Sequence, residues 1–460
     1  MSVLASNELP VAVLGAGPVG LAAAAHLHAR GLPALVLEAG SRVGNNVLEW
    51  GHVRVFSPWR YLVDPEARRL LERHGWQHPD PEAHPTGAEL VAELLDPLAA
   101  LPEVAPMLRF GHRVTAVTRL GFDRMKSGGR ERAPFLVVAE SPQGEVRLRA
   151  RAVIDATGTW ATPNPLGAGG VPALGERENA ERVRYGIPHA LGKDRPRYAG
   201  KRTLVVGSGH SAFNAVIELA ALADEVPGTE VVWAVRRSDP GQMFGGGEAD
   251  ALPERGALGA RARALVARRG VGFVTGFVVE RLERTAEGLA VVAEDGRRLV
   301  VDEVVAATGS RPDLHVTREL RLELDPVTEA PVRLAPLIDP NVHSCGTVPP
   351  HGEAELAHPE AGYYVVGMKS YGRAPTFLML TGYEQVRSVV AFLAGDVEAA
   401  RRVELVLPET GVCSSNPLGA DVACCGAEGE PCCAAGGEAG PSRQEPDREV
   451  PVLASGGCCG

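Results

Sequence analysis

The sequence predicts an α/β chain built from two doubly wound dinucleotide-binding units, each paired with a β-meander. Three observations predict it. A glycine-rich turn between a short apolar run and a helical pattern occurs at Gly15-Ala-Gly17-Pro18-Val-Gly20, and again at Gly207-Ser-Gly209-His210-Ser211-Ala212. Downstream of each turn, period-two stretches lead to the same strand end, Ala156-Thr157-Gly158 and then Ala307-Thr308-Gly309. Finally, 460 residues leave room for two or three domains with sizeable cores.

The first unit runs from residue 11 to residue 38. An apolar run at 11–14 enters the turn, an Ala-rich helical pattern continues to Gly31, and a second apolar run at 34–37 stops at Glu38. Gly15 makes the turn, Gly17 lets the backbone approach a pyrophosphate, and Gly20 lets helix and strand pack closely. Free N–H groups and the dipole at the helix N-terminus attract the phosphates. Glu38 is placed to accept a hydrogen bond from a ribose 2′-hydroxyl and would repel a 2′-phosphate. Strand, turn, helix, strand and terminal acid together make a Rossmann-like unit.

Charge and composition exclude several classes. A net charge of −10 argues against nucleic acid or an anionic membrane as the main partner. The opening MSVLASNELP has no basic region ahead of an apolar run, so a secretory leader is not expected. The most apolar stretch, 11–27, is interrupted by glycines and a proline, so no membrane span is expected either. The cytoplasm is the expected location.

In chain order, residues 41–46 read as a loop and 47–59 are rich in aromatic and aliphatic residues. Residues 85–101 carry a helical pattern with Thr86 as its cap. From 109 to 158 the period changes to two, predicting a meander that ends at Gly158. A Gly/Pro-rich connector follows. The second unit repeats the plan with a strand at 203–206, a helix over 213–222, a strand at 231–235 and a helix over 258–269. A second meander then ends at Gly309.

The second unit differs where its second strand ends, in Arg236-Arg237 instead of an acid. An arginine fork matches a 2′-phosphate in geometry and charge, which predicts NADPH at this site. His210, just inside the turn, is a further candidate for the phosphates. Two dinucleotide sites in one chain imply FAD in the first and NADPH in the second, with hydride passing between them.

Residues 10–406 resemble the two-dinucleotide-domain (glutathione-reductase-type) flavoproteins. Within them the chain looks most like flavin-containing and Baeyer–Villiger monooxygenases. DATGTWATPNPLGAGG (155–170), DPNVHSCGTVPPHG (339–352) and GMKSYGRAPTFLMLTGYEQVRS (367–388) resemble the flavin-binding monooxygenase-like proteins encoded beside arsenic-resistance genes. One departure is that the phenylalanine–glycine–histidine fingerprint of flavin-containing monooxygenases is missing ahead of the second turn, where only Tyr185-Gly186 and His189 stand.

The resemblance implies that Gly15, Gly17, Pro18, Gly20 and Glu38 hold FAD, with Val114 on the strand whose backbone meets adenine. It places Thr157 and Gly158 at the flavin-side strand end and Gly367 at the turn that meets the ribityl chain. That turn usually carries an aspartate after its glycine, and Met368 stands here instead. The helix after Thr376 would aim its N-terminus at the flavin ring. Gly207, Gly209, His210, Ser211, Ala212, Arg236, Arg237, Thr308 and Gly309 are assigned to NADPH. The implied division is FAD-binding over 1–160 and 306–408, a connector over 161–198, and NADPH-binding over 199–305.

Residues 409–460 read as a flexible, Cys-rich tail, with Gly, Ala, Glu and Pro dominating its composition. Cys345 and Cys413 stand alone, whereas Cys424-Cys425, Cys432-Cys433 and Cys458-Cys459 are adjacent pairs. Neighbouring Cα atoms lie about 3.8 Å apart, below the usual disulfide span of about 4.4–6.8 Å, so each pair reads as a dithiol suited to soft ions. The closing Gly-Cys-Cys-Gly resembles the thiol shuttles of mercuric reductase and large thioredoxin reductases.

Three functions compete. The first is an NADPH-dependent FAD monooxygenase that takes oxygen and a small-molecule or metalloid substrate. Its flavin-pocket candidates are Trp50, His52, Ser57, Trp59 and Tyr371. The second is an NADPH-driven thiol or metal reductase. Such enzymes place a redox disulfide against the flavin, but this chain has no cysteine before Cys345. The third, a thiol-rich metalloid-binding protein, leaves two nucleotide sites idle. The missing flavin-side disulfide counts against the reductase and leaves oxygen as the expected acceptor, which favours the monooxygenase.

Overall fold

A computed structural model of the chain describes residues 8–245, 252–267, 270–340, 348–374 and 377–405. All of them fall within the contact unit spanning residues 1–417. The expected tail at 409–460 and all eight cysteines lie outside the described residues.

The first unit contributes β1 (Val11–Leu14), β2 (Ala34–Leu37), β3 (Leu108–Arg109), β4 (Arg113–Arg119), β5 (Phe135–Ser141), β6 (Gly144–Ala150) and β7 (Ala152–Asp155). The middle of the chain adds β8 (Val183–Tyr185), β9 (Arg202–Val206), β10 (Glu230–Ala234) and β11 (Val271–Val274). The remainder are β12 (Val279–Thr285), β13 (Gly288–Ala293), β14 (Arg298–Val301), β15 (Glu303–Ala306) and β16 (Tyr363–Val365).

Two parallel sheets organise them, in the orders β16-β7-β1-β2-β3 and β11-β10-β9-β15-β8. Each is covered on both faces, which is why its central strands are unbroken apolar runs; all four residues of β1 are buried. On one face of the first sheet lies the helix Pro18–Ala29, with Met379–Leu393 beyond it. Helix Pro18–Ala29 is buried almost all round, so it is rich in alanine. On the other face, Val117, Phe135 and Val137 of the antiparallel meander β4-β5-β6 pack against Ala12 and Leu14. The second unit repeats the three layers. Helix His210–Glu225 covers one face, and the meander β12-β13-β14 covers the other.

Residues 85–101 do form the expected helical run, entered through a capping box. Thr86 Oγ1 accepts from the Glu89 amide at 3.2 Å, and Glu89 returns the bond to the Thr86 amide at 2.6 Å. Its middle, Val91–Leu95, widens into a π-turn.

Three expectations need correction. The strands ending in the Ala-Thr-Gly triplets are not the last strands of the meanders. β7 and β15 each leave the meander and enter a parallel sheet beside the first strand of their unit, β1 and β9. In addition, the segment expected to be a plain connector contains β8, which pairs in parallel with β15 as the edge of the second sheet. Both second-unit helices are also longer toward their N-termini than expected, at His210–Glu225 and Pro253–Val266.

Candidate dinucleotide sites and the crevice between them

At the first turn, Gly15 has φ +94°, and a Cβ there would stand 2.8 Å from the Ala156 carbonyl oxygen. A Cβ at Gly20 would lie 2.0 Å from the Gly15 oxygen, so these two glycines are demanded by the protein's own packing. Gly17 is different. It precedes the helix that begins at Pro18, and nothing lies within 4 Å of its Cβ position. That open space in front of a helix N-terminus fits the pyrophosphate of the expected FAD. Glu38 Oε2 accepts from the Ala16 amide at 2.8 Å and Oε1 from the Gly40 amide at 2.7 Å. A carboxylate has about four lone-pair positions, so acceptor capacity is left for a ribose. The Glu38 backbone pairs with Arg109 O at 2.9 Å and His112 N at 2.8 Å, which brings the entry to β4 and Val114 alongside.

Behind this turn lies a buried polar group that sequence reasoning missed. Lys369 Nζ lies 2.7 Å from Asp155 Oδ2 and 3.1 Å from Thr157 Oγ1. Tyr363 OH donates to Asp155 at 2.8 Å, and Thr157 Oγ1 donates to it at 2.7 Å. Burial opposes the charge on Asp155, but Lys369 and these donors outweigh it and hold the carboxyl below its usual range. Gly158 follows at φ +67°. Across from it, the Gly367 amide (φ +67°) donates to Gln385 Oε1 at 2.7 Å. Gln385 Nε2 in turn reaches Ser370 Oγ at 2.8 Å. A Cβ at Gly382, in the helix Met379–Leu393, would stand 3.4 Å from the Gly367 Cα, so the start of that helix abuts the turn.

The second turn repeats the first. Gly207 has φ +143°, and a Cβ there would stand 2.2 Å from the Ala307 oxygen. Gly209 precedes helix His210–Glu225 with nothing within 4 Å of its Cβ position. Ala212 is fully buried, and His210 sits with its ring 5.2 Å from Phe56 and 5.8 Å from Phe213. Arg236 and Arg237 stand just beyond β10, with Arg236 exposed.

The two strand ends meet. Thr159 Oγ1 and Ser310 Oγ are 2.8 Å apart. Asn164 Nδ2 donates to Thr308 O at 3.2 Å, its amide donates to Gly309 O at 2.9 Å, and Thr308 Oγ1 donates to Asn164 O. Beside this seam is a cavity of about 230 Å³ walled by Glu49, Trp160, Arg184, Tyr185, Ser211 and Ser310. Glu49 of the first unit lies 3.7 Å from Arg184 of the second.

None of the five pocket candidates lines that cavity, and Trp50, Trp59 and Tyr371 pack in or against the first core. Trp59 and Tyr371, 3% and 2% exposed, belong to the first core, and the Trp50 ring wedges against Gly87. Ser57 is buried. His52 reaches the second unit, where its ring stacks on His189 at 4.3 Å and its Nε2 lies 3.3 Å from Glu218. The candidate thiol ligands Cys424, Cys425, Cys432, Cys433, Cys458 and Cys459 lie outside the described residues. Among the described residues no cluster of His, Cys, Asp or Glu could hold a metal ion, and no helix is long and apolar enough to cross a membrane.

Comparison with known proteins agrees with this architecture. The family described as pyridine nucleotide-disulphide oxidoreductase matches residues 122–349, and the NAD(P)-binding Rossmann-like domain matches residues 13–73. Indole-3-pyruvate monooxygenase YUCCA1 of Oryza sativa subsp. japonica is 33% identical over 215 residues, 45% of this chain and 44% of that protein. The chain spans about half the length of the curated monooxygenases it matches. Among solved structures, bacillithiol disulfide reductase Bdr (YpdA) from Bacillus cereus superimposes with a TM-score of 0.62 at 19% identity, over 84% of this chain and 99% of that one. A flavin-containing monooxygenase from Stenotrophomonas maltophilia does so with a TM-score of 0.53 at 24% identity, over 84% and 99%. At these identities the two structures share the fold.

Proposed function

We propose that the chain, which shares the two-dinucleotide-domain flavoprotein fold and is similar over part of its length to flavin monooxygenases, is an NADPH-dependent FAD monooxygenase. The observation that carries this reading is the seam at Thr159 and Ser310, which gives the flavin-side strand end and the second crevice a common wall. Bound FAD supplies acceptance of hydride from NADPH and delivery of the electron pair to oxygen.

The chain's own residues bind and orient. The helix that starts at Pro18 receives one pyrophosphate on its free N–H groups, and Glu38 accepts from the ribose. The helix that starts at His210 receives the second pyrophosphate, while Arg236 and Arg237 take the 2′-phosphate in a charge-assisted fork. Helix Met379–Leu393 abuts the Gly367 turn and favours negative charge before its first turn. The absence of cysteine before Cys345 favours oxygen over a flavin-side disulfide as acceptor. Counting the electrons that NADPH delivers without oxygen tests the reading.

The three cysteine pairs favour a second, additive reading, in which the segment after Cys413 binds a soft thiophilic ion such as trivalent arsenic and raises its concentration near the enzyme.

A further inference from the structure

We propose that Trp160 is the platform on which the nicotinamide end of NADPH rests, a proposal that itself depends on the NADPH reading above. Strand order leads to it. In the second sheet β9 is flanked by β10 on one side and β15 on the other, and helix His210–Glu225 starts at this switch point. A dinucleotide held at that helix N-terminus extends to both sides of it. Arg236 and Arg237 follow β10 and assign the phosphorylated adenosine half to that side. The other half must then cross the ends of β15 and β8, and the 230 Å³ cavity lies there.

Trp160 stands in the wall of that cavity, two residues past Gly158 in the loop that leaves the flavin-side strand end. This single short loop therefore spans from one dinucleotide site to the other. It is pinned by the Thr159–Ser310 bond of 2.8 Å and by the Arg311 amide donating to Thr162 O at 3.0 Å. The indole lies on Gly186, whose φ of +87° suits glycine, and a Cβ there would stand 3.0 Å from the Trp160 ring. The backbone thus makes room for the ring and fixes its position. A held aromatic face beside a pyrophosphate site suits the planar nicotinamide ring, and the positive charge of the oxidised form adds a cation–π attraction.

The test is equilibrium titration of the full-length flavoprotein with two probes. One is NADP⁺; the other is 2′,5′-ADP, which keeps the phosphorylated adenosine and lacks nicotinamide. Trp160→Ala should weaken NADP⁺ binding about three- to ten-fold and leave 2′,5′-ADP binding unchanged. Trp160→Phe, which keeps an aromatic face, should retain most of the affinity. NADP⁺ should quench tryptophan fluorescence in the parent, and less in both variants. Equal weakening of both probes, or unchanged NADP⁺ affinity in Trp160→Ala, overturns the proposal alone. A parent protein that binds neither probe overturns the NADPH reading and this proposal with it.

Discussion

Thr159 and Ser310 share a hydrogen bond of 2.8 Å, and each is the residue that follows the glycine of its own Ala-Thr-Gly strand end. Equivalent positions of the two internal copies therefore touch each other. The contact places the carboxyl ends of β7 and β15, where open α/β sheets bind their ligands, on one seam.

The glycines of the first turn separate packing from ligand contact. Gly20→Ala drives a methyl group against the Gly15 oxygen, so it should lower both the melting temperature of the flavin-free protein and its FAD content. Gly17→Ala meets nothing within 4 Å, so the flavin-free protein should melt as the parent does while FAD affinity falls about ten-fold or more. Equal FAD content in Gly17→Ala and the parent would remove the pyrophosphate from this turn.

Arg236 and Arg237 should discriminate between cofactors. Replacing both with Ala should raise KM for NADPH about ten- to a hundred-fold, as expected for the loss of charge-assisted bonds, with NADH little affected. Steady-state kinetics with the two cofactors checks this, and equal use of NADH by the parent would contradict it.

His358 should make the fold acid-sensitive. Burial, with neither ring nitrogen hydrogen-bonded, lowers its pKa from the ordinary 6.5 to about 4. Between those values the unfolded chain takes up a proton that the folded chain refuses, so stability falls as pH drops from 6.5 toward 4. The full effect is about 3 kcal/mol. His358→Phe should flatten this part of the melting-temperature profile; an unchanged slope would show that other groups cause it.

Ending the chain after Cys413 tests the cysteine pairs. FAD content and NADPH oxidation should be unchanged, while arsenite binding measured by calorimetry weakens. If the shortened chain binds arsenite as tightly, Cys345 and Cys413 become the thiols to examine.

The parts of the fold that could be read from the sequence were the local ones. A Gly turn, its helix and the apolar runs around it lie within a few tens of residues, so both nucleotide units are legible. The pairings of β7 with β1 and of β15 with β9 were not, because these partners lie far apart in the chain and no local pattern names a strand's neighbour. β8, Val183–Tyr185, is too short to stand out in a Gly/Pro-rich stretch, and it forms because β15 offers it an edge. At the site, Lys369 and Asp155 are 214 residues apart, and no local pattern announces their pairing. Trp59 and Tyr371, large and aromatic, are buried in the first core, and the sequence alone does not show which face of that core they line.

Anaerobic titration with NADPH, followed by admission of oxygen, tests the central claim most directly. The account predicts about one FAD per chain, reduction complete after two electrons, no thiolate–flavin charge-transfer band, and prompt reoxidation with oxygen consumed. Uptake of four electrons with such a band, and slow reaction with oxygen, would contradict it and identify the chain as a thiol-linked reductase.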